Sequence, residues 1–191
     1  IGIILSTALM VGIGLLFSSF QDLMIRDTIG YSGKYEAKYN DVDLIKLNDI
    51  KNKNFTYFYE KPIGFSKIES SNEYKPYMYI TSVNREYFDE LKLIEGDIPK
   101  NENEIVISNH VITNGGLDYK VGDIVTFTYG SRNIDGNITL ANSELVDGEF
   151  LTNKGTHTYK IVGIVDRSNF ESYSASGYTT FTLDVNSDKG N

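Results

Sequence analysis

The 191-residue sequence contains no cysteine. That excludes a disulfide framework, a thiol nucleophile and cysteine-ligated zinc or iron–sulfur. Histidine occurs only as His110 and His157. Neither sits in an H-x-x-x-H or H-x-x-E-H arrangement, so no metal site is expected. There is no G-x-S-x-G elbow to expose a nucleophile and no G-x-x-x-x-G-K-[ST] loop to bind ATP. Gly12 and Gly14 lie in an apolar run, and Phe17 stands where a third glycine of a dinucleotide motif would be. Asn114-Gly115-Gly116 reads as a turn, and Glu102 and Glu104 as a solvated loop. No catalytic, cofactor-binding or metal-ligating residue is expected, and the chain is not expected to be an enzyme.

Basic clusters are missing too. Eighteen basic against 26 acidic residues give a formal charge of -8. A chain this acidic repels phosphate backbones, so nucleic acid is not an expected partner. The acids are scattered, which suits a solvated surface. The chain begins at Ile1 and reads as a piece of something longer.

What is present is a long apolar run. Residues 1–20, IGIILSTALMVGIGLLFSSF, carry no charge, and a bilayer-spanning helix needs roughly 20 such residues. Gly2, Gly12 and Gly14, with Ser6, Thr7 and Ala8, are small enough to let transmembrane helices approach closely. A signal peptide would need a cleavage site, and none follows Phe20. A buried soluble helix would have to be apolar on every face. The run is therefore read as a transmembrane helix in contact with lipid. Leu23, Met24 and Thr28 keep helical spacing among charges, as a stalk leaving the bilayer would, and Gly30 and Gly33 mark its stop. Residues 1–29 form this anchor.

From residue 30 to 191 the pattern is mixed. Residues 34–40 read as a strand and 41–52 as a short helix. Residues 54–68 and 74–83 read as paired strands. Residues 84–96 read as a helix capped by Asn84, burying Tyr87, Phe88 and Leu91. EIVISNHVI, GDIVTFTYG and HTYKIVGIVD read as strands, with Ile105 and Ile107 facing one way and Val106 the other. Residues 130–155 are polar and read as a loop or hairpin excursion, with a possible strand in ITLANSEL. The chain closes on a turn and strand, SYSASGYTTFTLDV. The expected class is α+β behind a membrane anchor, with a small β-rich subdomain around residues 120–160.

Three blocks then bear on family. Leu93-Ile94-Glu95-Gly96-Asp97-Ile98-Pro99-Lys100 leads into Asn103-Glu104-Ile105-Val106-Ile107-Ser108. Tyr119-Lys120-Val121-Gly122-Asp123 follows, and then Tyr159-Lys160-Ile161-Val162-Gly163-Ile164-Val165. In this order, behind an apolar helix, they resemble the extracytoplasmic domain of MacB-like and FtsX-like ABC transporter permeases. The resemblance implies a helix ending in "L-x-x-G-R/D-x-P", an "N-E-I-V-I-S" strand, an "L-x-V-G-D" turn and a "Y-x-V-V-G-I-V" strand. Asp97 stands where Arg is commoner. The resemblance also implies export or extrusion of a lipid, lipoprotein, peptide or antimicrobial compound. It implies a partner ATPase, a second permease copy, and location at the cell membrane with the domain outside. The second reading is a membrane-anchored binding or regulatory module that senses a peptide or recruits a cell-wall enzyme.

One surface feature stands out. Phe55, Tyr57, Tyr59, Tyr77 and Tyr79 concentrate aromatic area on two adjacent strands. Cross-strand core pairs are the ordinary use of such a pattern. A surface for a peptide or lipid is the functional alternative, because tyrosine offers rigid area with a polar tip.

Overall fold

The structure, a computed structural model, describes residues 2–32, 57–135, 138–168 and 171–185. The chain divides into two compact units, Ile1–Val42 and Asp43–Asn191.

In the first unit, helix α1 runs from Gly2 to Ser32. Ile4, Leu9, Ile13, Leu16, Phe17 and Phe20 are each more than half exposed. The stretch Ser6–Arg26 is long and apolar enough to cross a membrane, and none of it is buried. The hydroxyls of Ser6, Thr7 and Thr28 donate back to the carbonyls of Ile3, Ile3 and Met24. That satisfies their polarity within the helix. Arg26 pairs with Asp22 one turn earlier at 2.7 Å. The helix passes the expected stop at Gly30 and continues to Ser32. The strand expected over 34–40 and the helix over 41–52 lie outside the described residues.

The second unit is built on one sheet. Its strands are β1 Glu60–Lys67, β2 Tyr77–Val83, β3 Leu93–Gly96, β4 Glu104–Ser108, β5 Ile124–Ile134, β6 Ile138–Leu140, β7 Phe150–Val165 and β8 Gly177–Leu183. Helix α2, Asn109–Thr113, follows β4. The strand order is β3-β7-β4-β8-β2-β1-β5-β6, and β5 also pairs with β7. Six strands therefore close a ring, β7-β4-β8-β2-β1-β5. Each contributes to one apolar cluster that includes Ile63, Met78, Ile80, Ile105, Ile107, Phe127, Ile161 and Tyr178. That cluster is the interior of the ring, and Val111 of α2 packs into it. The opposite face carries Val83, Val106, Val165, Phe181 and Leu183, covered by Tyr87 and Phe88. Ile105 and Ile107 thus face away from Val106, as strand alternation requires. Burying each such side chain contributes about 1.5–3 kcal/mol.

The α+β class holds, and some elements differ from expectation. Residues 84–96 are not one helix. A 3₁₀ turn spans Arg85–Glu90, burying Tyr87 and Phe88, and Leu93–Gly96 is a strand. Pairing of Leu93 with Val165 and of Gly96 with Gly163 on β7 outweighs the local helical spacing. The Asn84 side chain makes no cap; it accepts from Tyr59 N–H and donates to the Tyr57 carbonyl. β4 stops at Ser108, whose hydroxyl accepts from His110 N–H and opens α2. The polar stretch 130–155 is the hairpin excursion of the two readings, since Gly130 to Asn133 lie against Asn153 to Phe150. Only Ile138–Leu140 of ITLANSEL is a strand. The Gly122-Asp123 turn forms as read, with Asp123 Oδ2 accepting from Lys120 N–H at 2.9 Å.

The two ends of the ring differ. Glu60, Val83 and Leu183 lie side by side at one end, the near end. Lys67, Tyr77 and Gly177 lie side by side at the other, the far end.

Candidate functional site

The aromatic residues divide between two places. Tyr57 and Tyr59 precede β1, half-buried, with rings nearly parallel at 6.5 Å. Phe55 lies outside the described residues. Tyr79 stacks on its cross-strand partner Phe65 at 4.7 Å. Tyr77 is only 7% exposed, which withdraws it from any contact surface. The Arg132 guanidinium lies over the rings of Phe65 and Tyr77, at 5.3 and 5.6 Å. Burial pushes the Tyr77 hydroxyl up to about 12, and its hydrogen bond to Glu149 adds to this. The ordinary core use of these aromatics therefore accounts for Phe65, Tyr77 and Tyr79.

Arg132 explains why. It is fully buried. Nε and a terminal nitrogen grip the Glu149 carboxylate, and the remaining N–H groups reach the carbonyls of Ala141, Ser143 and Glu144. The segment after β6 is thereby clasped to the sheet. Asn142 completes the clasp by pairing with both backbone groups of Gly177 at 2.9 and 3.3 Å. A side chain at 177 would collide with Tyr79 and Asn142, within 3 Å of each. Burial raises the Glu149 carboxyl, but the bonds from Arg132, Val146 N–H and Tyr77 outweigh this and hold it below 4.5.

A second polar centre lies at the far end, around Glu171. Its carboxylate, fully buried, accepts from Lys75 Nζ at 3.1 Å, from Thr179 N–H at 3.0 Å, and lies 3.2 Å from His110 Nδ1. Arg167 Nε stands 3.7 Å away, and Arg167 also donates to the Glu171 carbonyl. The β1–β2 connection, α2, the β7–β8 connection and the first turn of β8 are thus tied to one carboxylate. Burial opposes its ionisation, but the bonds from His110, Lys75 and Thr179 outweigh burial and hold it below 4.5. For Lys75 burial dominates, and its pKa falls despite Glu171. The asymmetry has a simple cause: the anion has several donors, whereas the ammonium has one carboxylate and the face of Tyr178 at 5.2 Å.

Elsewhere the ring is incompletely zipped. β1 and β5 pair only at Phe65–Gly130 and Ser66–Tyr129. Beyond that contact opens a groove of about 500 Å³, lined by Lys67, Ile68, Tyr119, Thr126, Phe127 and Thr128 among others.

What these centres can do is bind and position. Glu171 and Lys75 are too enclosed to meet a substrate, at 0% and 5% side-chain exposure. Among the described residues no three His, Asp or Glu side chains gather as a metal would require. Sequence reading missed Arg132, Glu149, Lys75 and Glu171, because their partners stand far off in the chain.

No family model matches the sequence, and no curated protein matches it. Among solved structures, the periplasmic region of MacB from Actinobacillus actinomycetemcomitans is similar, at 10% identity and a TM-score of 0.39. The match covers 76% of this chain and 56% of that one, so this chain spans little more than half of that structure.

Proposed function

We propose that this chain is the first span and the extracytoplasmic domain of an ABC transporter permease subunit. In this reading a partner ATPase supplies the energy and a second permease copy completes the transporter. The cargo is a lipid, lipoprotein, peptide or antimicrobial compound that is exported or extruded. The chain carries out no reaction of its own. The observation that carries the reading is α1, an uninterrupted 31-residue helix whose apolar stretch is wholly uncovered. Such a surface is not tolerated in water and is suited to lipid or to another span. The three sequence blocks, in order behind that helix, support the family.

Mechanically, closure of the ATPase would move the spans, and the helix beyond the bilayer would carry that movement outward. Ile25 lies near the C-terminal end of the stretch able to cross a membrane, where the stalk begins in this reading, and is more than half exposed. Proline there removes a helical hydrogen bond and clashes with the preceding turn, at a cost of about 3 kcal/mol. In the assembled transporter, Ile25→Pro should leave ATP hydrolysis running while transport stops. Undiminished transport by that variant would overturn the reading.

A further inference from the structure

We infer that the groove between β1 and β5 is a strand-addition site. It takes an extended peptide with apolar side chains on one face and a carboxylate on the other. The inference stands apart from the transport reading and requires no ATPase.

The groove exists because two strands meet and then part. β5 shifts register against β7 between Tyr129 and Gly130, and β1 shifts against β2 between Pro62 and Gly64. Such bulges bend a strand away from its neighbour. Only a glycine fits at 130, since a Cβ there would stand 2.0 Å from the Thr152 carbonyl. The strands touch at that point and diverge toward the far end.

Beyond the Ser66–Tyr129 rung the edge of β5 carries backbone groups with no strand beside them. The Asp123 carbonyl accepts from Ile161 N–H, so Asp123 points to β7. Strand alternation then turns Ile124, Thr126 and Thr128 to the opposite edge, into the groove. Ile68 N–H donates to the Pro76 carbonyl, toward β2. Lys67 therefore turns its own N–H and C=O toward β5. Among the described residues no strand pairs with this edge of β5 between Ile124 and Thr128. Unpaired donors and acceptors at strand spacing are matched by another backbone, which is how added strands are recognised.

The side chains define the occupant further. Ile68 and Tyr119, partly buried against the ring interior, line the groove and would receive apolar side chains. Among the described residues Lys67 is the one charged residue lining the groove, in a chain of net charge -8, and it would receive a carboxylate. A second copy is a poor fit. Apart from β5 itself, the free outer edges it offers among the described residues are β3, with four residues, and β6, with three.

The probe is a capped, fluorescent hexapeptide, Val-Thr-Val-Glu-Val-Thr, added to the full chain in detergent micelles. Binding is read by anisotropy and by amide hydrogen exchange. At roughly 1 mM peptide, exchange at Thr126 and Thr128 should slow by about tenfold or more. An analogue N-methylated at alternate residues should bind roughly tenfold more weakly, because the edge bonds are gone. Thr128→Pro should weaken the unmethylated peptide similarly, with cooperative unfolding retained. Unchanged exchange, or equal binding of the methylated analogue, would sink the proposal. So would slow exchange at both amides before peptide is added, which would mean that another part of this chain, such as residues 34–40, fills the groove. Self-association abolished by Thr128→Pro would assign the edge to a second copy instead.

Discussion

Among the described residues the domain holds two buried ion pairs, Arg132–Glu149 and Lys75–Glu171, and they are organised from opposite ends. At Arg132–Glu149 the cation is the organiser: its N–H groups meet one carboxylate and three carbonyls. At Lys75–Glu171 the anion is the organiser: its two oxygens collect Lys75, His110 and Thr179, with Arg167 close by. A guanidinium offers five donors in a rigid fork, and a carboxylate can accept about four bonds. An ammonium has three donors, and burial leaves Lys75 with one carboxylate to meet them. A buried pair is therefore described by which member its neighbours depend on, more than by the pair itself.

The comparison can be broken by mutation. Arg132→Met should have the largest effect. It leaves the Glu149 carboxylate buried and three carbonyls without their donor, and should cost about 4–5 kcal/mol. Urea unfolding measures it, and a loss of less than about 1 kcal/mol would contradict the organiser role. Glu171→Gln comes next, at about 3 kcal/mol, because Lys75 and Arg167 lose their counter-charge. Lys75→Met should be milder, about 1 kcal/mol, since Glu171 keeps His110, Arg167 and Thr179. Equal losses for the last two variants would erase the asymmetry.

The smallest effect is in pH. Both carboxylates are held below their ordinary value of 4.5. A depressed carboxyl pKa gives stability that is fully present above the unfolded value and drains as pH falls through the folded one. The stability gap between the natural chain and Glu171→Gln should therefore stay constant above pH 4.5 and narrow below it. A gap that widens on acidification would reverse the sign assigned to Glu171.

How legible this was in the sequence depends on how local the determinant is. The β1 and β2 strands, the alternation of Ile105, Val106 and Ile107, and the Gly122-Asp123 turn were readable, because each rests on neighbours in the chain. β3 was not. The spacing of Tyr87, Phe88 and Leu91 imitates a helix, and only pairing with distant β7 makes Leu93–Gly96 a strand. Ser131, Arg132 and Asn133 fall in a polar stretch that reads as a loop or hairpin excursion without showing which. Their partners, Thr152 among them and residues 141–149, arrive only when the chain folds. The Glu171 centre draws on positions 75, 110, 167 and 179, with no spacing to betray it. The groove is defined by backbone, which side-chain motifs cannot report. Of the aromatic set, residue type was visible, but the cover that Arg132 places over Tyr77 was not.

Glu60 and Leu183 stand at one end of the ring with β2 between them. A tug that carries both in the same direction loads every rung of these ladders together, and the ring travels as a body. A tug that spreads them apart falls on the first rungs alone, Glu60–Val83 and Val83–Leu183, and each must yield before the next is strained. The domain is stiff toward being hauled and soft toward being prised. A change in the distance between Glu60 and Leu183 would thus appear as a progressive peeling of these strands.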